Sequence, residues 1–166
     1  MSESGGKWMY IMAWVCGLGL LAAVFNNVLE KRYNPNQQPD SYRSGGQVEV
    51  KLKQNRMGHY VTNGTINGQT VTFIVDTGAT DVAIPAHMQN KLSLTPGRVG
   101  MANTANGTVR IALTEIDTLT IGDIRLNNVR ANLNPGMSGD EILLGMSVLR
   151  QLEFTQRGDW LILRTF

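Results

Sequence analysis

Asp76-Thr77-Gly78 is the place in this chain where residue type and spacing could do chemistry. The segment VTFIVDTGATDVAIP (71–85) carries an apolar, strand-like run straight into an ionisable carboxyl, then leaves through a second apolar run, Val82-Ala83-Ile84. A carboxylate so placed needs hydrogen bonds or a use, because burying an unpartnered charge is costly. The residues alone allow two readings: a general acid–base group at a strand end, or a carboxylate that merely satisfies a turn. Other candidates are weaker. His59 and His87 lie far apart, without cysteines or paired carboxylates at metal-ligand spacing, so no metal site is expected. Ser138-Gly139-Asp140 lacks the flanks of a nucleophile elbow and reads as a turn. Asp117, Asp123, Glu141 and Asp159 read as turn or solvent-facing residues. There is no glycine-rich phosphate loop, and no cofactor is expected.

The elements that must hold Asp76 are strands. Val, Ile and Thr recur in short runs broken by Asn-Gly and Gly-Asp pairs, a pattern that favours β structure. VEVKLK (48–53) alternates as a half-buried strand does. HYVTNGTINGQTVTFIVD gives two strands joined by an Asn67-Gly68 hairpin turn, and VRIALTEIDTLTIGDIRLNNVRANL (109–133) gives further strands turning at Gly122-Asp123. VGMANTANGTVRI (99–111) reads as a hairpin with a small tip at Asn103, Thr104, Ala105, Asn106 and Gly107. EILLGMSVLRQL (141–152) breaks the alternation: Leu143, Leu144, Val148 and Leu152 fall at helical spacing around Gly145, predicting a helix. FTQRGDWLILRTF returns to strands about a turn at Arg157-Gly158-Asp159. The fold class expected is mainly β and mostly antiparallel, with one short helix near the C-terminus.

At 166 residues and 42% apolar content, the chain has room for one ordinary domain and an appendage. A net charge of +2, with Lys and Arg dispersed, gives no footprint for nucleic acid. The lone Cys16 rules out an intrachain disulfide framework. The appendage is N-terminal. After a short flank (1–7), the stretch 8–29 carries no charged side chain, and Trp8, Tyr10 and Trp14 sit where amphipathic rings prefer a membrane interface. A single transmembrane helix over 8–29 is expected. A cleaved signal peptide is the rival reading, opposed by a basic region of Lys7 alone and a poor cleavage site at Leu21-Ala22-Ala23. Ala13-xxx-Gly17 and Gly19-xxx-Ala23 would let two such helices approach closely. Residues 30–46, rich in Pro, Asn, Gln, Ser and Gly, read as a flexible linker, which places the folded domain at 47–166.

Taken together, FIVDTGATDVAIP, TANGTVRI (104–111), ILLGMSVLRQLEF and RGDWLIL resemble the retropepsin-like aspartic proteases, the family of the homodimeric retroviral proteases, and most of all its bacterial membrane-anchored branch. The resemblance covers about residues 58–166. It implies a retropepsin-like closed β-barrel or sandwich and an endopeptidase in which Asp76 from each of two chains activates water. Thr77, Gly78, Ala79 and Gly145 would support the active-site loop, and Asn103, Thr104, Ala105, Asn106 and Gly107 would form the flap over a peptide or protein substrate. One Asp-Thr-Gly per chain then requires a homodimer, with the exposed edge of a terminal strand such as 160–163 as its candidate sheet. Thr80 departs from the acidic residue that viral members often carry there, although Asp81 follows directly. A catalytically silent module that binds peptides or a partner protein is the alternative. The resemblance further implies a single-pass protein of the bacterial inner membrane. Lys31 and Arg32 after the span slightly favour a cytoplasmic domain, yet folded domains cross largely regardless of such counts, and a periplasmic domain is expected. Val82, Ile84, Met101, Val109 and Ile111 are the candidates for specificity pockets.

Overall fold

The computed structural model describes residues 3–104 and 107–166. Helix α1 (Glu3–Tyr33) is longer than the span expected at 8–29. Once nucleated, a helix continues through polar residues. It stops at Asn34, whose N–H bonds Glu30 O at 2.8 Å, because Pro35 disfavours helical geometry in the residue before it. Within it, Gly6–Tyr33 is long and apolar enough to cross a membrane, its most apolar 18 residues having a mean hydropathy of 1.9 and no burial against the rest of the chain.

Residues 34–46 are not the flexible linker that their composition suggests. Asn34 and Asn36 are buried. Asn34 donates to Asn63 Oδ1 at 2.8 Å. The Asn36 amide donates to Lys53 O at 2.9 Å and Val61 O at 2.7 Å, and accepts from Lys53 N at 2.6 Å. Strand β1 (Asp40–Ser44) then pairs with β2 (Gln47–Lys53) through Gly45 and Gly46, whose φ angles of 59° and 89° favour glycine. Polarity here serves hydrogen bonding within the fold, and the sheet starts at Asp40.

The remaining strands are β3 (Val61–Ile66), β4 (Gln69–Val75), β5 (Val82–Pro85), β6 (Val99–Thr104), β7 (Gly107–Ile121), β8 (Ile124–Asn134), β9 (Glu141–Leu144), β10 (Glu153–Arg157) and β11 (Trp160–Arg164). One sheet has the order β3-β4-β9-β5-β8-β7-β6, and a β3–β7 pairing closes part of it on itself. The other is β1-β2-β11-β10. Among the described strands all pairings are antiparallel except β4–β9 and β5–β8, and an isolated bridge from Asn36 to Thr62 is also parallel. The hairpin turns fall where the sequence places them, with positive φ at Asn67, Gly68, Gly122 and Gly158. Phe73, Ile84, Ile116, Leu119, Ile142 and Leu144 lie at the centre of the core, without solvent exposure.

Two expectations change. Residues 141–152 are not one helix: β9 occupies Glu141–Leu144, and α2 is confined to Met146–Leu149. Ile142 and Leu144 alternate into the core as a strand, while Val148 and Leu149 reach the same core from a helical turn. The spacing Leu144/Val148/Leu152 therefore spans two elements. Strand β11, expected to offer a free edge, is paired on both sides, by β2 and by β10.

Candidate active site

Strand β4 alternates Val71 and Phe73 into the core with Thr72 and Ile74 on the opposite face. Continued one step, that alternation puts Asp76 with Ile74, away from the core. Asp76 is half-buried, while Thr77 and Gly78 are exposed. The carboxylate thus stands at a strand end rather than inside the apolar core, which resolves the conflict its flanks present.

The turn is held from both sides. Asp76 N–H donates to Leu144 O at 3.2 Å, extending the β4–β9 ladder by one residue, and Ala79 N–H returns to Asp76 O at 3.2 Å. Gly78 N–H donates to Asp76 Oδ1 at 2.8 Å, which fixes the carboxyl orientation. A Cβ on Gly78 would stand 3.2 Å from that oxygen. Thr77 makes no side-chain hydrogen bond among the described residues.

Gly145 closes the arrangement. A Cβ there would lie 2.6 Å from Ala79 O and nearer still to Asp81 O, so only glycine lets β9 and α2 pass so close to the turn. Met146 N–H donates to Ala79 O at 2.8 Å and Ser147 N–H to Thr80 O at 2.9 Å. Ser147, which the sequence did not single out, accepts from Val82 N–H at 3.1 Å and donates to Arg130 O at 2.8 Å. Its only sequence signal is a small hydroxyl residue in the first turn of a helix beside Gly145. Thr80 is exposed, and Asp81 faces Arg130 Nη2 at 3.5 Å, an ion pair too long for a hydrogen bond.

A row of side chains leads away from Asp76 across the sheet. Ile74 is opposite Leu143, Leu143 opposite Ala83, Ala83 opposite Asn132 and Asn132 opposite Leu113, all on the non-core face. The row ends at the base of the β6–β7 hairpin, where a Cβ on Gly100 would touch Ile111 and Leu113. Of the pocket candidates, Val109 and Ile111 lie on this hairpin face. Val82 and Ile84 are fully buried in the core and cannot line a pocket there, and exposed Met101 lies on the other face, opposite Arg110. Of the tip, Asn103, Thr104 and Gly107 are exposed, Thr104 is opposite Gly107, and Ala105 and Asn106 fall outside the described residues. An open cavity of about 260 Å³, lined by Ala86, Gln89, Val99, Ile111, Ala112 and Leu133 among others, shares Ile111 with the hairpin face but includes no residue of the Asp76 turn. His87 Nε2 lies 2.9 Å from Asp140 in an exposed pair, away from His59.

Comparison with known proteins agrees with this architecture. Residues 62–151 match the family described as "gag-polyprotein putative aspartyl protease". The chain belongs to this retropepsin-like aspartic protease family. It is 36% identical over 125 residues to an uncharacterized protein in the cobV 5′ region of Sinorhizobium sp., an alignment covering 73% of this chain and 54% of that one. It is 30% identical over 117 residues to the uncharacterized protein RP867 of Rickettsia prowazekii, covering 68% and 50%. The chain therefore spans about half the length of these curated relatives. Among solved structures, the crystal structure of a retropepsin-like aspartic protease from Rickettsia conorii superposes with a TM-score of 0.59 at 26% identity, covering 77% of this chain and 94% of that one.

Proposed function

We propose that this chain is a membrane-anchored aspartic endopeptidase of bacterial origin, active as a homodimer in which Asp76 of each protomer contributes to one dyad. The observation that carries the reading is the Asp76 turn: its carboxyl is oriented by Gly78 N–H, held against β9 and α2 through Gly145, and open on the face that leads to the β6–β7 hairpin.

Peptide hydrolysis without a metal or a covalent intermediate needs one group to take a proton from water and another to give one to the scissile carbonyl and the leaving amine. Two adjacent carboxyls do both, since like charges so close share one proton. They titrate as a pair, and the acid and base roles divide only when substrate breaks the symmetry. A single chain offers one such turn, so the second carboxyl comes from a second copy. Asp76 Oδ2 and the Thr77 hydroxyl, both unbonded within the described residues, are the groups a partner would meet. Ile74, Leu143, Ala83, Asn132 and Leu113 would wall the substrate side. The hairpin tip at Asn103, Thr104, Ala105, Asn106 and Gly107 would close over the peptide and exclude water.

The apolar helix supports a single-pass anchor in the inner membrane, with the catalytic domain on the periplasmic side, and the shared membrane would raise the local concentration of protomers. The test is cleavage of a diverse peptide library by the full chain in detergent, with and without pepstatin, beside Asp76→Asn. Pepstatin-sensitive cleavage lost on substitution, with the melting temperature unchanged, is the expected result. Equal proteolysis by the purified variant would remove the enzyme reading and leave a peptide-binding module.

A further inference from the structure

The apolar helix is joined to the folded domain without a hinge. Glu30, Lys31 and Arg32 follow its last apolar residue, Leu29, and are exposed, and the helix then runs into side chains of the domain. The Tyr33 hydroxyl donates to Glu141 Oε1 at 3.2 Å. The Tyr33 carbonyl, one of those a helix end leaves unpaired, accepts from Asn55 Nδ2 at 2.9 Å. Asn34 Nδ2 donates to Asn63 Oδ1, which Thr72 Oγ1 also reaches at 3.1 Å, and Asn36 N–H donates to Asn34 Oδ1 at 3.0 Å. Pro35 has a fixed φ, and Asn36 bridges to Thr62. No glycine stands between Gly19 and Gly45 to loosen the junction.

These contacts lie beside the candidate site. Glu141 precedes Leu143 by two residues on β9 and shares its face, and Thr72, opposite Glu141, precedes Ile74 and Asp76 on β4. Leu143 and Ile74 belong to the row that would wall the substrate. Tyr33 stands four residues past Leu29, a rise of about 6 Å, and Asp76 stands four residues past Thr72, about 13 Å along the strand. With the side chains that join them, the path from Leu29 to Asp76 is about 30 Å, and the height of Asp76 over the apolar end of the helix cannot exceed it. A flexible tether over 30–46 would instead reach about 55 Å.

We propose that α1 and residues 33–36 form a rigid strut that holds Asp76 at a fixed height over the bilayer, so that the substrates are membrane-spanning proteins cut in an extended segment within about ten residues of their own span. This rests on the membrane-anchored protease reading above and names its substrate class. An extended chain climbs about 30 Å in nine residues, so a scissile bond nearer the bilayer than that can meet Asp76 while both proteins stay inserted. Sharing one membrane also raises the local concentration of such a segment over that of a free peptide. A bond held farther out by a stiff stalk lies beyond the reach of the strut.

The test places the full chain in liposomes of phosphatidylcholine and phosphatidylglycerol with single-span reporters. Each reporter carries one peptide that the chain cleaves free in solution, set about 5, 10 or 20 prolines above its span, at heights of about 16, 31 and 62 Å. The two shorter reporters should be cut, and the longest at least about tenfold more slowly. About thirty Gly and Ser residues inserted between Arg32 and Tyr33 should restore cutting of the longest reporter and leave the rate on free peptide unchanged. Equal cleavage at all three heights overturns the strut and leaves the protease reading standing. A longest reporter that stays uncut by the lengthened chain puts the limit in the reporter and overturns the strut as well. If neither free peptide nor any reporter is cleaved, both readings fall.

Discussion

At the scale of single residues, the arrangement turns on Gly145 as much as on Asp76. Asp76 supplies the carboxyl, but the path of the loop is set by the close passage of Gly145 beside Ala79 and Asp81 carbonyls. Gly145→Ala inserts a methyl against backbone atoms that cannot swing aside. A loss of about 1–3 kcal/mol is expected in denaturant unfolding, with a larger proportional loss of peptide cleavage because the displaced loop carries the carboxyl. An unchanged unfolding midpoint would show that the loop has room the structure does not give it. Asp76, Thr77 and Gly78 were legible in the sequence because an ionisable group at the end of an apolar strand is a local contradiction. Ser147 was not, since its bonds to Val82 and Arg130 join segments distant along the chain.

At the scale of elements, hairpins were legible and their surroundings were not. Asn67-Gly68, Gly122-Asp123 and Gly158-Asp159 declare themselves because few residues tolerate positive φ. The stretch 141–152 did not, since a short strand and a single helical turn together imitate a helical period. Residues 34–46 misled for another reason: Asn34 and Asn36 are polar, but their polarity is spent inside the fold. Asn36→Ala would leave Lys53 N and the carbonyls of Lys53 and Val61 without that partner, a loss of about 2–3 kcal/mol. Hydrogen exchange in β1 and β2 should rise with it, and unchanged protection would return the segment to the status of a tether.

The second sheet also carries a pH dependence. The Arg164 guanidinium, hydrogen-bonded to Glu49, holds that carboxyl below its ordinary range, with Lys51 adding to the effect. A carboxyl whose folded value is depressed contributes stability that is full above its unfolded value and lost as pH falls through the folded one. The melting temperature of the full chain should therefore fall as pH drops below about 4.5, where an unperturbed glutamate is about half protonated. Arg164→Met should flatten that part of the profile, and a profile that keeps its shape would assign the acid sensitivity elsewhere.

At the scale of the whole molecule, the two sheets divide the work. The larger one carries the Asp76 turn, the row of side chains beside it and the hairpin above. The smaller one ties the end of the chain that carries the apolar helix, through β1 and β2, to the outermost strand β10. The fold class was legible because alternation and turn chemistry agreed along most of the chain. The order of the terminal strands was not, because no local signal says that β11 lies between β2 and β10, leaving β10 outermost. The sequence carries one Asp-Thr-Gly, and among the described residues the structure builds one such turn around it.

If two copies of Asp76 act together, mixing wild-type and substituted chains will reveal it. Wild-type chain and Asp76→Asn would be dissociated together, reassociated at fixed total protein over a range of ratios, and assayed on one cleaved peptide. With a shared dyad, each mixed dimer has a single carboxyl, and activity falls as the square of the wild-type fraction. Activity in simple proportion to that fraction would mean each chain works alone, and would contradict the account.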